Sequence, residues 1–358
     1  MKIKVTIFDP DEQYLHRVSK YYAANFDTRL ELYCFSGLDE AMKSLTANKV
    51  QVFLASTEGA VDFAQVPQRC AFAWLTDSNA SDEYQGKRAV LKYQKLESIY
   101  SEILDLYSEK MPTGKMNADE GSVEIVAFVS AAGGVGCSTV SVAGAAFLAR
   151  RGRRVLYLNL EHFGGADFLY RAAGNGNLSN VLFAVNSKRA NLVLKLESLV
   201  KKDADSGVFF YSAAENALDM NEVNAEFLTS LLGALRVGES YDTIVLDMNF
   251  QLNDLCLEAL HQATRVVLLS DGRTITNRKT ARAVEALIEI QEERGVPYYD
   301  KLTLLYNKYS NRTSNDFTDY DLPALGGIPR YEGADSMAVY QKIAELQVFD
   351  NLMQLEGR

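Results

Sequence analysis

The 358-residue chain is poor in the side chains that staple loops or hold transition metals, with only 4 cysteines and 3 histidines. Cys34, Cys70, Cys137 and Cys256 are widely separated and form no C-x-x-C pair, which argues against a disulfide framework and against a zinc site. A reducing cytosol is the expected compartment. Long apolar runs are missing too, so no segment is expected to span a bilayer. Met1-Lys2-Ile3-Lys4-Val5 opens a strand rather than a signal peptide, and export by that route is not expected. Positive charge is in deficit: the net charge is -10 and the pI about 5.0. That balance argues against a surface built broadly for nucleic acid or anionic lipid and leaves room only for a local basic patch. No internal repeat or low-complexity tract is visible.

What is present is enough apolar matter for a substantial core. The chain is 47% hydrophobic and 23% charged, and its length suits two domains. Ile3, Val5 and Ile7 alternate with Lys2, Lys4 and Thr6, and Phe8-Asp9-Pro10-Asp11 ends this first strand with two carboxylates. A helix follows with Leu15, Val18 and Tyr22 on one face. Further strands are predicted at 30–35, 50–55, 71–75 and 88–93, and Ile99, Ile103 and Leu106 mark a closing helix. Segments 57–68 and 78–87 carry little apolar periodicity and read poorly as helices. The β/α alternation favours a parallel sheet. Asp9 and Asp11 stand where carboxylates are favoured as caps of the first helix. The stretch 108–121 is polar and aperiodic, so the expected division is 1–108, a linker at 109–121, and 122–358.

The second domain is organised around Ser130-Ala131-Ala132-Gly133-Gly134-Val135-Gly136-Cys137-Ser138-Thr139, set between an apolar strand at 124–129 and a small-residue helix running to Arg151. Strand, glycine loop and helix are the layout of a phosphate cradle. Glycines let backbone N–H groups approach the phosphates, and the helix N-terminus adds partial positive charge. Gly133, Gly134 and Gly136 supply that freedom, the N–H groups of 134–139 are the expected donors, Ser138 stands where a hydroxyl would ligate Mg²⁺, and Thr139 could donate to a phosphate oxygen. The alternative is a glycine turn with no ligand. The apolar strand 155–160 ends in polar groups around Asn159 and Glu161, and the strand 241–247 delivers Asp247 at its C-terminal end. Another buried strand at 264–270 precedes Arg273, Arg278, Lys279 and Arg282, either a solvated face or a local source of positive charge. A strand at 302–306 leads into Asn307-Lys308, and Gly326-Gly327-Ile328-Pro329-Arg330 follows. The C-terminal helix carries Val339, Ile343, Leu346, Phe349, Leu352 and Met353, with Glu345, Asp350 and Glu356 where a membrane-surface helix would carry lysine and arginine; core packing is expected.

The glycine loop resembles the deviant Walker A sequence of the MinD/ParA class of ATPases, roughly K-G-G-V-G-K-[ST]-[ST]. Both lysines of that pattern are absent: Ala132 stands at the class's signature lysine, Cys137 at the ordinary P-loop lysine, and Ala131 at the opening glycine. The resemblance implies a Walker B role for Asp247 in the Mg²⁺ shell, a water-orienting role for Glu161 at the D-x-D position shared with Asn159, and contacts to the adenine side from Asn307, Lys308, Pro329 and Arg330. Residues 1–108 resemble a response-regulator receiver domain. Asp9 and Asp11 match its acidic Mg²⁺ pair, a residual metal site standing level with the helix-cap role, Thr76 its switch hydroxyl and Lys92 its lysine after the fifth strand, while Ala55 or Ser56 replaces the phospho-accepting aspartate.

A degenerate receiver joined to a MinD/ParA-type domain is similar to the TadZ/CpaE proteins of Tad-type (Flp) pili, most closely at 133–139, 157–161 and 188–198. The fold so implied is α/β, a receiver-like, flavodoxin-like domain followed by a larger P-loop NTPase domain with a mostly parallel sheet. The resemblance also implies a cytoplasmic homodimer that binds ATP and Mg²⁺ with weak or no hydrolysis. It would gather at a cell pole or pilus assembly site through Tad pilus proteins or a polar landmark protein. No specific nucleic acid is expected, and membrane association only through partners. Two other readings stay open: a competent ParA/MinD-type ATPase that positions DNA or a division site, and a receiver-based signalling adaptor with a vestigial P-loop.

Overall fold

The computed structural model describes residues 2–27, 29–77, 83–110, 123–174, 176–187, 192–238 and 240–354. Two compact units divide the chain: Met1–Lys115 with Lys188–Leu199, and Met116–Ser187 with Val200–Arg358.

In the first unit the strands are β1 (Ile3–Phe8), β2 (Leu30–Phe35), β3 (Val52–Ser56), β4 (Ala71–Thr76), β5 (Glu83–Tyr84) and β6 (Lys87–Leu91), with helices α1 (Glu12–Asn25), α2 (Leu38–Ala47) and α3 (Leu96–Lys110). The sheet order is β2-β1-β3-β4-β6-β5, parallel except for the β5–β6 hairpin. Val5 and Ile7 are fully buried, with Leu15, Val18 and Tyr22 of α1 packed onto them, but Thr6 is fully buried as well, its hydroxyl bonded to Ser44 of α2, because β1 is an inner strand of the sheet. The segments with little apolar periodicity form no α-helix: 57–68 contains only the 3₁₀ turn Phe63–Gln65, and the described part of 78–87 is hairpin strand. Residues 78–82 lie outside the described residues.

The division of the chain departs from expectation at two places. Helix α3 continues to Lys110, into the predicted linker, whose remaining residues 111–121 lie outside the described residues. More consequentially, helix α6 (Leu192–Leu199) belongs to the first unit although it falls within 122–358. The cause is local chemistry: Leu196 is buried, Leu194 packs against the first unit's core, Lys195 pairs with Asp105, and Arg29 pairs with Glu197 at 3.0 Å. Of the 188–198 stretch, residues 188–191 lie outside the described residues.

The second unit carries β7 (Glu124–Val129), α4 (Cys137–Arg150), β8 (Val155–Asn159), α5 (Leu178–Asn186), β9 (Lys201–Lys202), β10 (Phe209–Phe210), α7 (Ala225–Val237), β11 (Thr243–Asp247), α8 (Asp254–Gln262), β12 (Arg265–Ser270), α9 (Thr274–Arg294), β13 (Leu302–Tyr309), β14 (Ala324–Pro329), α10 (Ser336–Ile343) and α11 (Asp350–Gln354). Its eight-stranded sheet runs β14-β13-β12-β7-β11-β8-β10-β9, parallel apart from the β9–β10 edge. β7 lies between β11 and β12, so the glycine loop leaves the sheet where strand order reverses, the usual place for a ligand in an open α/β sheet.

Helix α4 is small-sided so that it can lie close to the sheet. A Cβ on Gly144 would meet Phe128 at 3.1 Å and Phe349 at 3.2 Å. The predicted C-terminal helix is instead α10, a 3₁₀ turn at Gln347–Phe349, and α11; its apolar residues do pack inward, with Ile343, Phe349 and Leu352 all buried. The stretch 326–330 is strand through Pro329: β14 pairs with β13 and buries Leu325 and Ile328.

Candidate functional site

The loop between β7 and α4 begins with Ser130, whose hydroxyl donates to the Leu269 carbonyl at 2.8 Å and so ties the loop to β12. Gly134 and Gly136 take φ of +79° and +87°, the left-handed region that a side chain disfavours. Gly136 has a second reason to be glycine, because a Cβ there would sit 2.7 Å from Asn307 Nδ2. That amide donates to the Val135 carbonyl at 2.7 Å, and Lys308, itself at φ +57°, donates through Nζ to the Gly134 carbonyl at 2.7 Å. The end of β13 therefore holds two loop carbonyls away from the cradle. No side chain caps the N-terminus of α4. Its first-turn N–H groups at Cys137, Ser138 and Thr139 stand where an anion is favoured.

Two strand ends, those of β8 and β11, bring polar groups to this helix terminus. Parallel pairing sets Asp247 beside Asn159, and Val245 beside Tyr157, placing all four on neighbouring strands at the loop end of the sheet. Asp247 is fully buried. Tyr157 donates its hydroxyl to Asp247 Oδ2 at 2.6 Å, and Asn159 Nδ2 approaches the same oxygen at 3.5 Å. Asp247 Oδ1 is left without a hydrogen-bond partner. Ser138 donates to Glu161 Oε2 at 3.2 Å, and the Glu161 N–H donates to Asn159 Oδ1 at 2.8 Å. Burial pushes the Asp247 carboxyl up to about 7; the Tyr157 hydroxyl opposes this, and the charge of Glu161 adds to it.

The two lysine positions hold no cation. Ala132 is buried, and Cys137 packs against the core, where burial, then the charges of Asp247 and Glu161, push its thiol well above the ordinary range. The thiol is neutral at physiological pH. Of the basic residues near the start of α9, Arg273 pairs with Asp271 at 3.2 Å, while Arg278, Lys279 and Arg282 are exposed on the helix surface.

A divalent cation fits the donor set. A buried carboxylate oxygen without a partner and a hydroxyl in the first helical turn are hard oxygen donors, and Mg²⁺ needs only one or two protein oxygens besides water and phosphate. The sequence expectations for Gly133, Gly134, Val135, Gly136, Cys137, Ser138, Thr139, Glu161 and Asp247 thus fall in one place. Asn307 and Lys308 join them by bracing loop carbonyls. Pro329 and Arg330 are exposed at the end of β14. Sequence reasoning missed Tyr157. Its signal was a lone phenol in an apolar strand, two residues before Asn159 and so on the same face.

Beside this site a cavity of about 270 Å³ is lined by Glu161, Phe163, Leu178, Tyr211, Ala217 and Met220, among others.

In the first unit Phe8 pairs with Ala55 at the end of β3, so neither Ala55 nor Ser56 offers a carboxylate beside Asp9. Lys92 donates to Asp9 at 2.8 Å, both side chains buried, and Asp11 caps α1 by accepting from the N–H groups of Gln13 and Tyr14. The Thr76 hydroxyl points to the Val90 carbonyl at 3.5 Å.

Residues 1–108 match the TadZ-like receiver domain family, and residues 123–295 match an AAA domain family. The chain thus joins a match to the TadZ-like receiver domain to a match to an AAA domain. Among solved structures, a ParA family ATPase from Chlorobium tepidum aligns at 18% identity over 65% of this chain and 100% of that one, with a TM-score of 0.53. MinD in the MinC:MinD cell division complex of Aquifex aeolicus aligns at 15% identity over 66% and 98%, with a TM-score of 0.51. The septum site-determining protein MinD of Pyrococcus horikoshii, complexed with Mg-ADP, aligns at 18% over 66% and 100%, with a TM-score of 0.50. These likenesses fix the fold of the second unit. No curated protein matches the chain. Among the described residues no helix is long and apolar enough to cross a membrane.

Proposed function

We propose that the protein is a Mg²⁺-ATP-binding localisation and assembly factor for a Tad/Flp-type pilus, a cytoplasmic homodimeric scaffold with very slow or no hydrolysis. The observation that carries this reading is a glycine loop leading to an uncapped helix N-terminus, beside the Ser138 hydroxyl and the unpartnered Asp247 Oδ1, with neutral residues at both lysine positions, Ala132 and Cys137. Bound Mg²⁺ would supply charge neutralisation at the terminal phosphates. Ser138 and Asp247 would hold it, the N–H groups of 134–139 would bind the phosphates, and Glu161 would be the residue able to orient water.

Binding and turnover separate under this arrangement. Backbone donors and the helix terminus act on ground-state phosphates, whereas phosphoryl transfer depends on charge placed where it develops, and one missing donor costs roughly 10² to 10³ in rate. Lys308 reaches the loop, but its ammonium is bonded to the Gly134 carbonyl. The TadZ-like first domain directs the proposal toward pilus assembly at a pole, through Tad proteins or a landmark protein. The signalling alternative is disfavoured by the absence of a carboxylate at Ala55 or Ser56 and by the Asp9–Lys92 pair.

The test is calorimetric titration with Mg²⁺-ATP followed by single-turnover hydrolysis at stoichiometric protein. Saturable binding with hydrolysis far below that of a lysine-bearing ParA is the expected result. Absence of binding by the folded chain at millimolar Mg²⁺-ATP removes the reading, and turnover at ordinary rates removes the scaffold part of it.

A further inference from the structure

We propose that Tyr157 is a positioning residue for Asp247: its hydroxyl, oriented by Asn159, occupies Oδ2 and leaves Oδ1 as the single carboxylate oxygen offered to a metal shell. This deepens the nucleotide-site reading and rests on it.

The direction of every hydrogen bond in the chain of contacts is fixed. The Glu161 N–H donates to Asn159 Oδ1 at 2.8 Å, which identifies the amide oxygen and turns Nδ2 the other way. Nδ2 then donates to the Tyr157 hydroxyl oxygen at 3.3 Å. A phenol has a single proton. With its oxygen accepting from Asn159, that proton goes to Asp247 Oδ2, at 2.6 Å. The ring is fixed as well, buried against Tyr170 in an edge contact with centroids 5.7 Å apart. Because β8 and β11 are parallel with Tyr157 beside Val245, the phenol reaches diagonally to the carboxylate two residues on, a span aromatic side chains cover.

The arrangement does something an aliphatic residue at 157 could not. A buried carboxylate with two free oxygens can rotate and present either one. Holding Oδ2 fixes the plane of the group, and it places the remaining acceptor, Oδ1, where it has no protein partner. The same chain links the Glu161 backbone to Asp247, tying the end of β8 to the carboxylate.

The experiment compares the full-length chain with its Tyr157→Phe variant by titrating ATP in the presence of Mg²⁺ and again in EDTA. Tyr157→Phe is expected to weaken Mg²⁺-ATP binding about tenfold or more, the usual cost of a hydrogen bond to a charged group, and to leave the EDTA affinity unchanged. A merely structural role would lower both affinities together. Asn159→Ala, which frees the phenol to turn, is expected to show the same Mg²⁺-selective loss at smaller size, and it provides the test should Tyr157→Phe fail to fold. Equal losses in the two conditions, or no loss, overturn the assignment while the site reading stands. Failure of the unaltered chain to bind Mg²⁺-ATP removes both.

Discussion

Gly136→Ala is the sharpest test of how the loop is built, because two separate penalties fall on one methyl group. Gly136 has φ +87°, and an L-residue held in the left-handed region costs about 1–2 kcal/mol. The new Cβ would also stand 2.7 Å from Asn307 Nδ2. Asn307 is buried, and its amide donates to the Val135 carbonyl. Pushing the amide off leaves a buried donor and a loop carbonyl unpaired, a loss of about 1–3 kcal/mol. Together the penalties are roughly 2–5 kcal/mol, which for a domain of this size lowers the unfolding midpoint by roughly 5–20 °C.

Thermal unfolding of the parent, Gly136→Ala, Asn307→Ala and the double variant separates the two contributions. With Asn307 truncated, the methyl group has nothing to displace, so Gly136→Ala should cost only the backbone part, about 1–2 kcal/mol. The coupling between the positions is then about 1–3 kcal/mol, well above the few tenths expected of independent sites. A midpoint for Gly136→Ala within about 2 °C of the parent, or a cost that does not fall in the Asn307→Ala background, would refute the idea that β13 braces the loop.

Restoring a cation by Cys137→Lys should tighten Mg²⁺-ATP binding about tenfold to hundredfold, read by calorimetry; unchanged affinity would mean that residue 137 does not face the phosphates. The metal-free protein should lose stability as pH rises from about 4 to about 7, since the folded Asp247 holds its proton up to about 7 against an ordinary value of 3.8 and the native state is the better proton binder across that window. The contribution is about 4 kcal/mol at most. Asp247→Asn should flatten this slope in urea unfolding, and parallel slopes in parent and variant would count against a buried, protonated carboxyl. In the receiver half, acetyl phosphate should leave the mass of the full chain unchanged. Lys92→Met should cost about 3–5 kcal/mol, because it strands the buried Asp9 carboxylate; a loss under about 1 kcal/mol would show the pair to be solvated.

The fold was legible wherever one local pattern decided it. Strands β2 and β7 have their predicted bounds, Leu30–Phe35 and Glu124–Val129, because period-two or continuous apolar runs bounded by polar residues leave little choice. Membership of α6 in the first unit was not legible. Leu194, Lys195, Leu196 and Glu197 form an ordinary amphipathic turn, and their partners Arg29 and Asp105 are distant in sequence. The strand β14 was obscured by Gly326 and Gly327, which read as loop when β13 is not there to pair with them. At the site, residue types announced the cradle, the Ser138 hydroxyl and the carboxylates. Directions did not follow from types: that Asn307 turns to a loop carbonyl, or that a phenol reaches Asp247, depends on register between strands many residues apart.

The same register explains the electrostatic character of the site. Asp247 and Glu161 both face the start of α4, with Ser138 bonded to Glu161, and Ala132 and Cys137 offer nothing to offset them. In a loop with its lysine, a buried carboxylate is kept ionised by a neighbouring cation. Without one, burial wins and the carboxyl holds its proton toward neutrality, which is the raised Asp247. With Asp247 protonated the negative charge of the site rests on Glu161, and the site becomes more repulsive to polyphosphate once Asp247 ionises. A nucleotide arriving alone therefore meets the helix terminus on one side and a carboxylate on the other, whereas a nucleotide arriving with a divalent cation brings the charge that Asp247 and Glu161 need. Under the proposed function, the absence of both lysines would shift the charge balance of the site from the protein onto the ligand.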